Sequence, residues 1–226
     1  MDSSKDVAVS SALHEYLIAH GSPPDPVALD LIGRTARLGD AAEMQIPAEQ
    51  GALLTLLVKL LGCKNVVEVG TFTGYSTLCL ARGLAGAGQV VTCDVSQEWS
   101  AIARDAWERA GVDHLVDLRL GQAADTLAAL PRDPVVDLAF IDADKVNYVR
   151  YWEELVPRMR PGGLLVADNV FYYGEVVGES PSVNGAAIRA FNEHVSADSR
   201  VEPVMLPIAD GITLARRVDD VRGGVA

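Results

Sequence analysis

The residues best placed to do chemistry sit where two apolar runs end. Ile141-Asp142-Ala143-Asp144-Lys145-Val146-Asn147-Tyr148 closes one run, and Ala167-Asp168-Asn169 closes the next. If those runs are neighbouring parallel strands, Asp142, Asp168 and Asn169 meet at one rim. Three oxygen donors, two of them anionic, suit a hard cation such as Mg²⁺ or Ca²⁺ and leave coordination positions open. Lys145 follows closely after the first donor. A nearby cation and partial burial both favour a neutral lysine amine, which can take a phenol proton. Two plainer readings stay open at this level. Acidic strand ends also cap helices, and a lone lysine is ordinarily solvated.

A second group is Glu68-Val69-Gly70-Thr71-Phe72-Thr73-Gly74-Tyr75-Ser76, which leaves a strand and opens a helix. Gly70 and Gly74 permit a tight turn and close approach of a ligand to free backbone N–H groups. The spacing is not the G-x-G-x-x-G that seats a dinucleotide pyrophosphate. Glu68 near the strand end needs a partner or a ligand. Asp94, at the end of the next strand, can hydrogen-bond ribose hydroxyls or cap the helix that starts near Ser96. A sulfonium cofactor, with an amino acid end and a ribose but no phosphate, suits such a loop.

The elements that must position these groups are legible in the hydropathy pattern. Leu13 to Ala19, Val27 to Leu38 and Ala48 to Leu61 carry helix-period apolar residues. After Gly62 the pattern changes to short apolar runs at Asn65–Val69, Gln89–Asp94, Val116–Leu120, Val136–Asp142 and Gly163–Asp168. Helical patterns at Tyr75–Leu84, Ser96–Ala110, Ala123–Leu130 and Asn147–Met159 separate or follow them, which predicts a parallel sheet covered on both faces. A helix over Gly185–Ser196 precedes Val201–Leu206 and Gly211–Val218, whose short connection requires an antiparallel pair at one edge. The fold class is α/β, a doubly wound sheet with N-terminal helices, and ligands in such sheets bind beyond the carboxyl ends of the strands.

Bulk composition narrows the partners. The 226 residues carry a formal charge of −12, which disfavours nucleic acid and anionic membranes. The length predicts a single domain over 1–226, its first 61 residues a helical region packed over the cofactor site. No basic-then-apolar start or spanning segment is visible, and Cys63, Cys79 and Cys93 read as buried thiols in a reducing, cytoplasmic setting. A nicotinamide reductase of the Y-x-x-x-K type is excluded because none of the six tyrosines has Lys at that spacing. A P-loop enzyme is excluded by the lack of any Gly-Lys pair.

From about Ser11 to Val218 the chain resembles the cation-dependent O-methyltransferase family that includes caffeoyl-CoA and catechol O-methyltransferases. The resemblance rests on the Glu68–Ser76 loop, the Ile141–Tyr148 segment, the Asp168-Asn169 pair and the closing turn Asp210-Gly211-Ile212-Thr213. It implies seven strands in the order 3-2-1-4-5-7-6 with the last antiparallel. It implies Asp142, Asp168 and Asn169 as ligands of a divalent cation (Mg²⁺ first, Ca²⁺ or Mn²⁺ otherwise), with Lys145 and Asp142 catalytic. S-Adenosyl-L-methionine would be held by Glu68, Gly70, Thr71 and Ser76 at its methionine end and by Asp94 at its ribose. Ala123 would lie by the adenine, and Met44, Ile46, Asp142 and Asp144 would also contact the cofactor.

Tyr173 and Asp210 are the expected substrate contacts, with Tyr172 and Trp152 as further candidate aromatics that could equally be core. Tyr173 stands where plant caffeoyl-CoA enzymes have Asn, and Lys5 is the only early basic residue available to a CoA phosphate. The expected reaction is therefore methylation of one hydroxyl of a small catechol-like aromatic, in secondary metabolism. A CoA-linked catechol, or a non-catalytic S-adenosylmethionine-binding protein, are the alternatives. The resemblance also implies a homodimer, for which the N-terminal helices and closing strands offer apolar edges.

Overall fold

Strand residues alternate between two faces, and here both faces are buried. The computed structural model describes residues 9–84, 86 and 88–218, so Lys5 lies outside the described residues. In β1 (Asn65–Val69) and β4 (Val136–Ile141), Val66, Leu138 and Phe140 enter one apolar core. Val67, Val69, Ala139 and Ile141 enter the other. This period-two division is what near-continuous apolar strands require when helices cover each side. The first core is closed by α2 (Pro26–Thr35), α3 (Ala48–Leu61), α4 (Tyr75–Gly83) and α5 (Gln97–Ala110). The second is closed by α6 (Ala123–Ala129), α7 (Tyr148–Leu155) and α8 (Val183–Ala197).

With β2 (Gln89–Asp94), β3 (Val116–Leu120), β5 (Met159–Asp168), β6 (Val201–Leu206) and β7 (Ile212–Arg217), the sheet has the order β3-β2-β1-β4-β5-β7-β6. Only β7 runs against its neighbours, pairing antiparallel with both β5 and β6. The sheet order and the edge hairpin are as expected. The remaining helix, α1 (Ser11–His20), buries no residue. Among the described residues no helix is long and apolar enough to cross a membrane. All three cysteines are free and buried, and burial pushes the Cys63 thiol up to about 11.

Three boundaries differ from the sequence expectation, each for a local reason. The second helix stops at Thr35, and a 3₁₀ segment runs to Met44 through Gly39, whose φ of 65° no α-helix tolerates. The helix expected over Asn147–Met159 ends at Leu155, where Pro157 removes a backbone donor and a 3₁₀ turn takes over. Strand β5 begins at Met159 rather than Gly163. Pro161-Gly162-Gly163 reads as a breaker, but the strand carries it through as an irregularity opposite Val136 and Leu138.

Candidate active site

The carboxyl ends of β1, β2, β4 and β5 open into a cavity of about 720 Å³. At its centre lie the groups from β4 and β5. Lys145 Nζ donates to Asp142 Oδ1 (3.1 Å), to Asn169 Oδ1 (2.7 Å) and to the Tyr148 hydroxyl (2.7 Å). Tyr148 is wholly buried, and its hydroxyl also lies 3.2 Å from the Asp168 carbonyl, so the lysine head is held from behind. Asn169 takes a left-handed φ of 54°, uncommon outside glycine and best tolerated by Asn and Asp. Its N–H donates to Asp168 Oδ1 (2.8 Å).

Burial, followed by the charge of Asp142, pushes the Asp168 carboxyl up to about 7. Two carboxylates and an amide oxygen thus converge, with the Lys145 amine bonded to Asp142 and Asn169. The donor set fits a hard divalent ion and offers nothing to a softer one. A different trio, Glu153, His194 and Asp198, also lies close enough to share an ion. There the Arg200 guanidinium already bonds both Glu153 and Asp198, and none of the three lines the cavity.

The glycine loop forms the adjoining wall. Gly70 has φ +103°, and a Cβ there would come within 2.0 Å of the Asp142 carbonyl oxygen. Glycine is therefore required for the loop to pass the end of β4. Asp94 Oδ2 accepts from the N–H groups of Thr71 (3.0 Å) and Phe72 (2.7 Å), and Oδ1 from Ser96 (2.7 Å). Those bonds hold Phe72 at a left-handed φ of 49°, with its ring edge-on to Trp99. Asp94 thus braces the loop as well as facing the cavity. The helix cap considered for it belongs to Ser96, whose hydroxyl accepts from the Trp99 N–H.

Gly70, Thr71, Ser76, Asp94, Ala123, Asp142 and Asp144 all line the cavity, as do Met44 and Ile46. Asp144 is held by the Tyr151 hydroxyl and by Asn147. Glu68 is placed differently. It is wholly buried behind the loop and does not line the cavity. Thr77 and Thr92 donate to it, and Thr92 in turn bonds Thr71. Burial pushes its carboxyl up to about 7, against hydrogen bonds from Ser76, Thr77 and Thr92 that pull it down. In this geometry Glu68 supports the loop from beneath.

At the mouth, Tyr173 is 77% exposed, and its N–H donates to Asp210 Oδ1 (2.7 Å). Tyr172 stands edge-on to it and accepts from Asn184. Trp152 is a core residue, packed on Phe191 with its indole N–H on Asp198, and it does not reach the cavity. Sequence reasoning passed over Phe72, Trp99 and Gln50, which line the cavity. Gln50 and Trp99 fall on helices where they look like any other residue. Phe72 sits inside the glycine motif, the one signal that pointed to it.

The model of the O-methyltransferase family matches residues 20–218. Tricin synthase 2 of Oryza sativa subsp. japonica is 40% identical over 96% of this chain and 78% of its own. A Dictyostelium discoideum protein named probable caffeoyl-CoA O-methyltransferase 1 is 37% identical over 94% of this chain and 95% of its own. Among solved structures, the O-methyltransferase from Bacillus cereus in complex with SAH superimposes with a TM-score of 0.81. That protein is 35% identical, with 91% of this chain and 97% of that one covered.

Proposed function

The chain belongs to the O-methyltransferase family, and on that premise we propose that it moves a methyl group from S-adenosylmethionine to one hydroxyl of a free ortho-dihydroxy aromatic, with a divalent cation at the reacting oxygens. The observation that carries this reading is the meeting of Asp142, Asp168, Asn169 and Lys145 on the same cavity as the Gly70–Ser76 loop. Asp142, Asp168 and Asn169 would hold the cation, Mg²⁺ first, which when bound supplies a shared anchor for two adjacent hydroxyls and acidifies the one to be methylated. Lys145, fixed by Tyr148, takes the proton from that hydroxyl. The loop and Asp94 would bind and align S-adenosylmethionine, which supplies the electrophilic methyl group. Alignment of this kind is worth ~7–11 kcal/mol. Met44 and Ile46, which line the cavity from the N-terminal region, would contact the cofactor.

Asp94→Ala is expected to weaken S-adenosylmethionine binding by about 1.5–3 kcal/mol, the usual worth of hydrogen bonds to a charged group. Calorimetry giving the wild-type affinity would remove Asp94 from the cofactor site.

A CoA-linked catechol is the second reading, favoured by the printed names of relatives such as the Dictyostelium protein. The charge of the cavity favours a free catechol. Lys145 is the only basic residue among its described lining, while Asp40, Glu43 and Asp210 are three of the carboxylates around it. The phosphates of a CoA ester would approach these acids with no arginine or lysine other than Lys145 among the described lining residues to receive them. Side-by-side kinetics are expected to give a kcat/KM for free caffeate-sized catechols at least tenfold above that for caffeoyl-CoA, an order-of-magnitude figure for a few unpaired charges. The reverse order would establish the CoA reading.

We propose further that the protein is a homodimer. Leu13, Tyr16 and Leu17 on α1, and Val204 and Met205 on the edge strand β6, are exposed apolar side chains at the two places a partner would cover. Light scattering at micromolar concentration should report twice the 24.0 kDa chain mass; a steady monomer would refute it.

A further inference from the structure

Gln50 is a wholly buried polar side chain of the cavity wall whose function the reaction above leaves unassigned. It lies in the first turn of α3, with 0% of its surface exposed, and lines the cavity. Neither its Oε1 nor its Nε2 makes a hydrogen bond of ordinary geometry. The amide stands beside Asp168, close enough to help pull that carboxyl down against its burial. Its placement is rigid. The next residue is Gly51, where a Cβ would press within 2.8 Å of Cys79 Sγ and 2.9 Å of the Tyr75 ring, so α3 packs directly on α4. Buried amides are almost always satisfied, and one left open toward a cavity calls for a partner that arrives with the ligand.

Resting on the catechol reading, we infer that Gln50 is a specificity-determining residue that receives the substrate hydroxyl that is not methylated. The geometry separates the two oxygens of an ortho diol. Lys145 engages Asp142 and Asn169, whereas Gln50 lies at Asp168. The oxygen on the lysine side meets a group that can remove its proton. The oxygen on the Gln50 side meets a neutral amide, which accepts from a hydroxyl and donates to it but cannot deprotonate it. A ring bearing a methoxy group in that second position has no proton to give to Gln50 Oε1. Gln50 therefore admits an ortho diol and turns away a singly methylated ring presented with its free hydroxyl toward Lys145, which blocks a second methylation.

The test is equilibrium binding of catechol and of 1,2-dimethoxybenzene to the protein as purified, with Mg²⁺ and S-adenosylhomocysteine present so that no turnover occurs. Gln50→Leu and Gln50→Met keep the volume and remove the amide. Both should bind catechol about tenfold more weakly, the worth of one hydrogen bond, with 1,2-dimethoxybenzene and S-adenosylhomocysteine affinities within about twofold of wild type. Thermal midpoints of the variants without ligands should equal or exceed that of wild type, because an open buried amide has been replaced by an apolar group; a merely structural Gln50 would lower them. Unchanged catechol affinity in both variants, or a loss that falls on S-adenosylhomocysteine instead, would overturn the assignment of Gln50 alone. Wild-type protein that binds no catechol would overturn the substrate reading and this assignment with it.

Discussion

Asp142→Ala is expected to lose methyl transfer almost entirely, with KM for the diol rising and kcat falling together. The carboxylate is one of three oxygen donors at the end of β4 and β5, and it also anchors Lys145 Nζ at 3.1 Å. On the proposed reading, removing it would weaken cation binding and free the base in one step, so alignment and proton removal would fail together. Prolonged chelation of the wild type should reproduce the defect, and excess Mg²⁺ should reverse it only in the wild type.

The pH dependence of Mg²⁺ binding is a second readout of the same group. Asp168 is pushed from an ordinary 3.8 up to about 7 when no cation is present, so below that pH a proton competes with the ion. Mg²⁺ affinity is expected to fall by up to about tenfold per pH unit below 7 and to level off above it. The linked effect on stability has a definite sign. A carboxyl with a raised folded pKa favours the fold most at low pH, so the cation-free protein should lose stability as pH climbs from about 4 to 7, and Mg²⁺ should restore it. Titration calorimetry across this range giving a flat affinity would exclude Asp168 from the ion site.

Lys145→Ala should look different. The oxygen donors remain, so substrate affinity should change little, and the loss should fall on kcat by ~10²–10⁴-fold, the usual contribution of a general base. Raising the pH should restore part of that loss, because solvent base can then take the phenol proton that Lys145 no longer accepts. Asp142→Ala should gain nothing from the same change. Steady-state kinetics of both variants from neutral to alkaline pH separate the two functions. A fully active Lys145→Ala protein at neutral pH would assign the proton to another acceptor.

The sheet was readable in the sequence because both faces of β1, β4 and β5 are buried, which leaves runs such as Val136–Ile141 almost wholly apolar. The rim was readable because acidic residues ending such runs, Asp94, Asp142 and Asp168, stand out against them. Helix ends were harder to place. Gly39 and Pro157 act through backbone conformation, which shifts a boundary without altering the apolar period. The support beneath the loop could not be seen at all, since Thr77 and Thr92 reach Glu68 only once α4 and β2 have packed on β1. Gln50 illustrates the same limit, because the burial of its amide in the cavity wall beside Asp168 is a property of the fold and not of its neighbours in the chain.

Mass-detected methylation of a panel of free catechols, monophenols and meta-diols, run with and without chelator, bears most directly on cation-dependent transfer to an ortho diol. A single added methyl on the catechols alone, abolished by chelator and recovered with excess Mg²⁺, is the expected result. Turnover of the catechols by thoroughly chelated enzyme at the normal rate would contradict it.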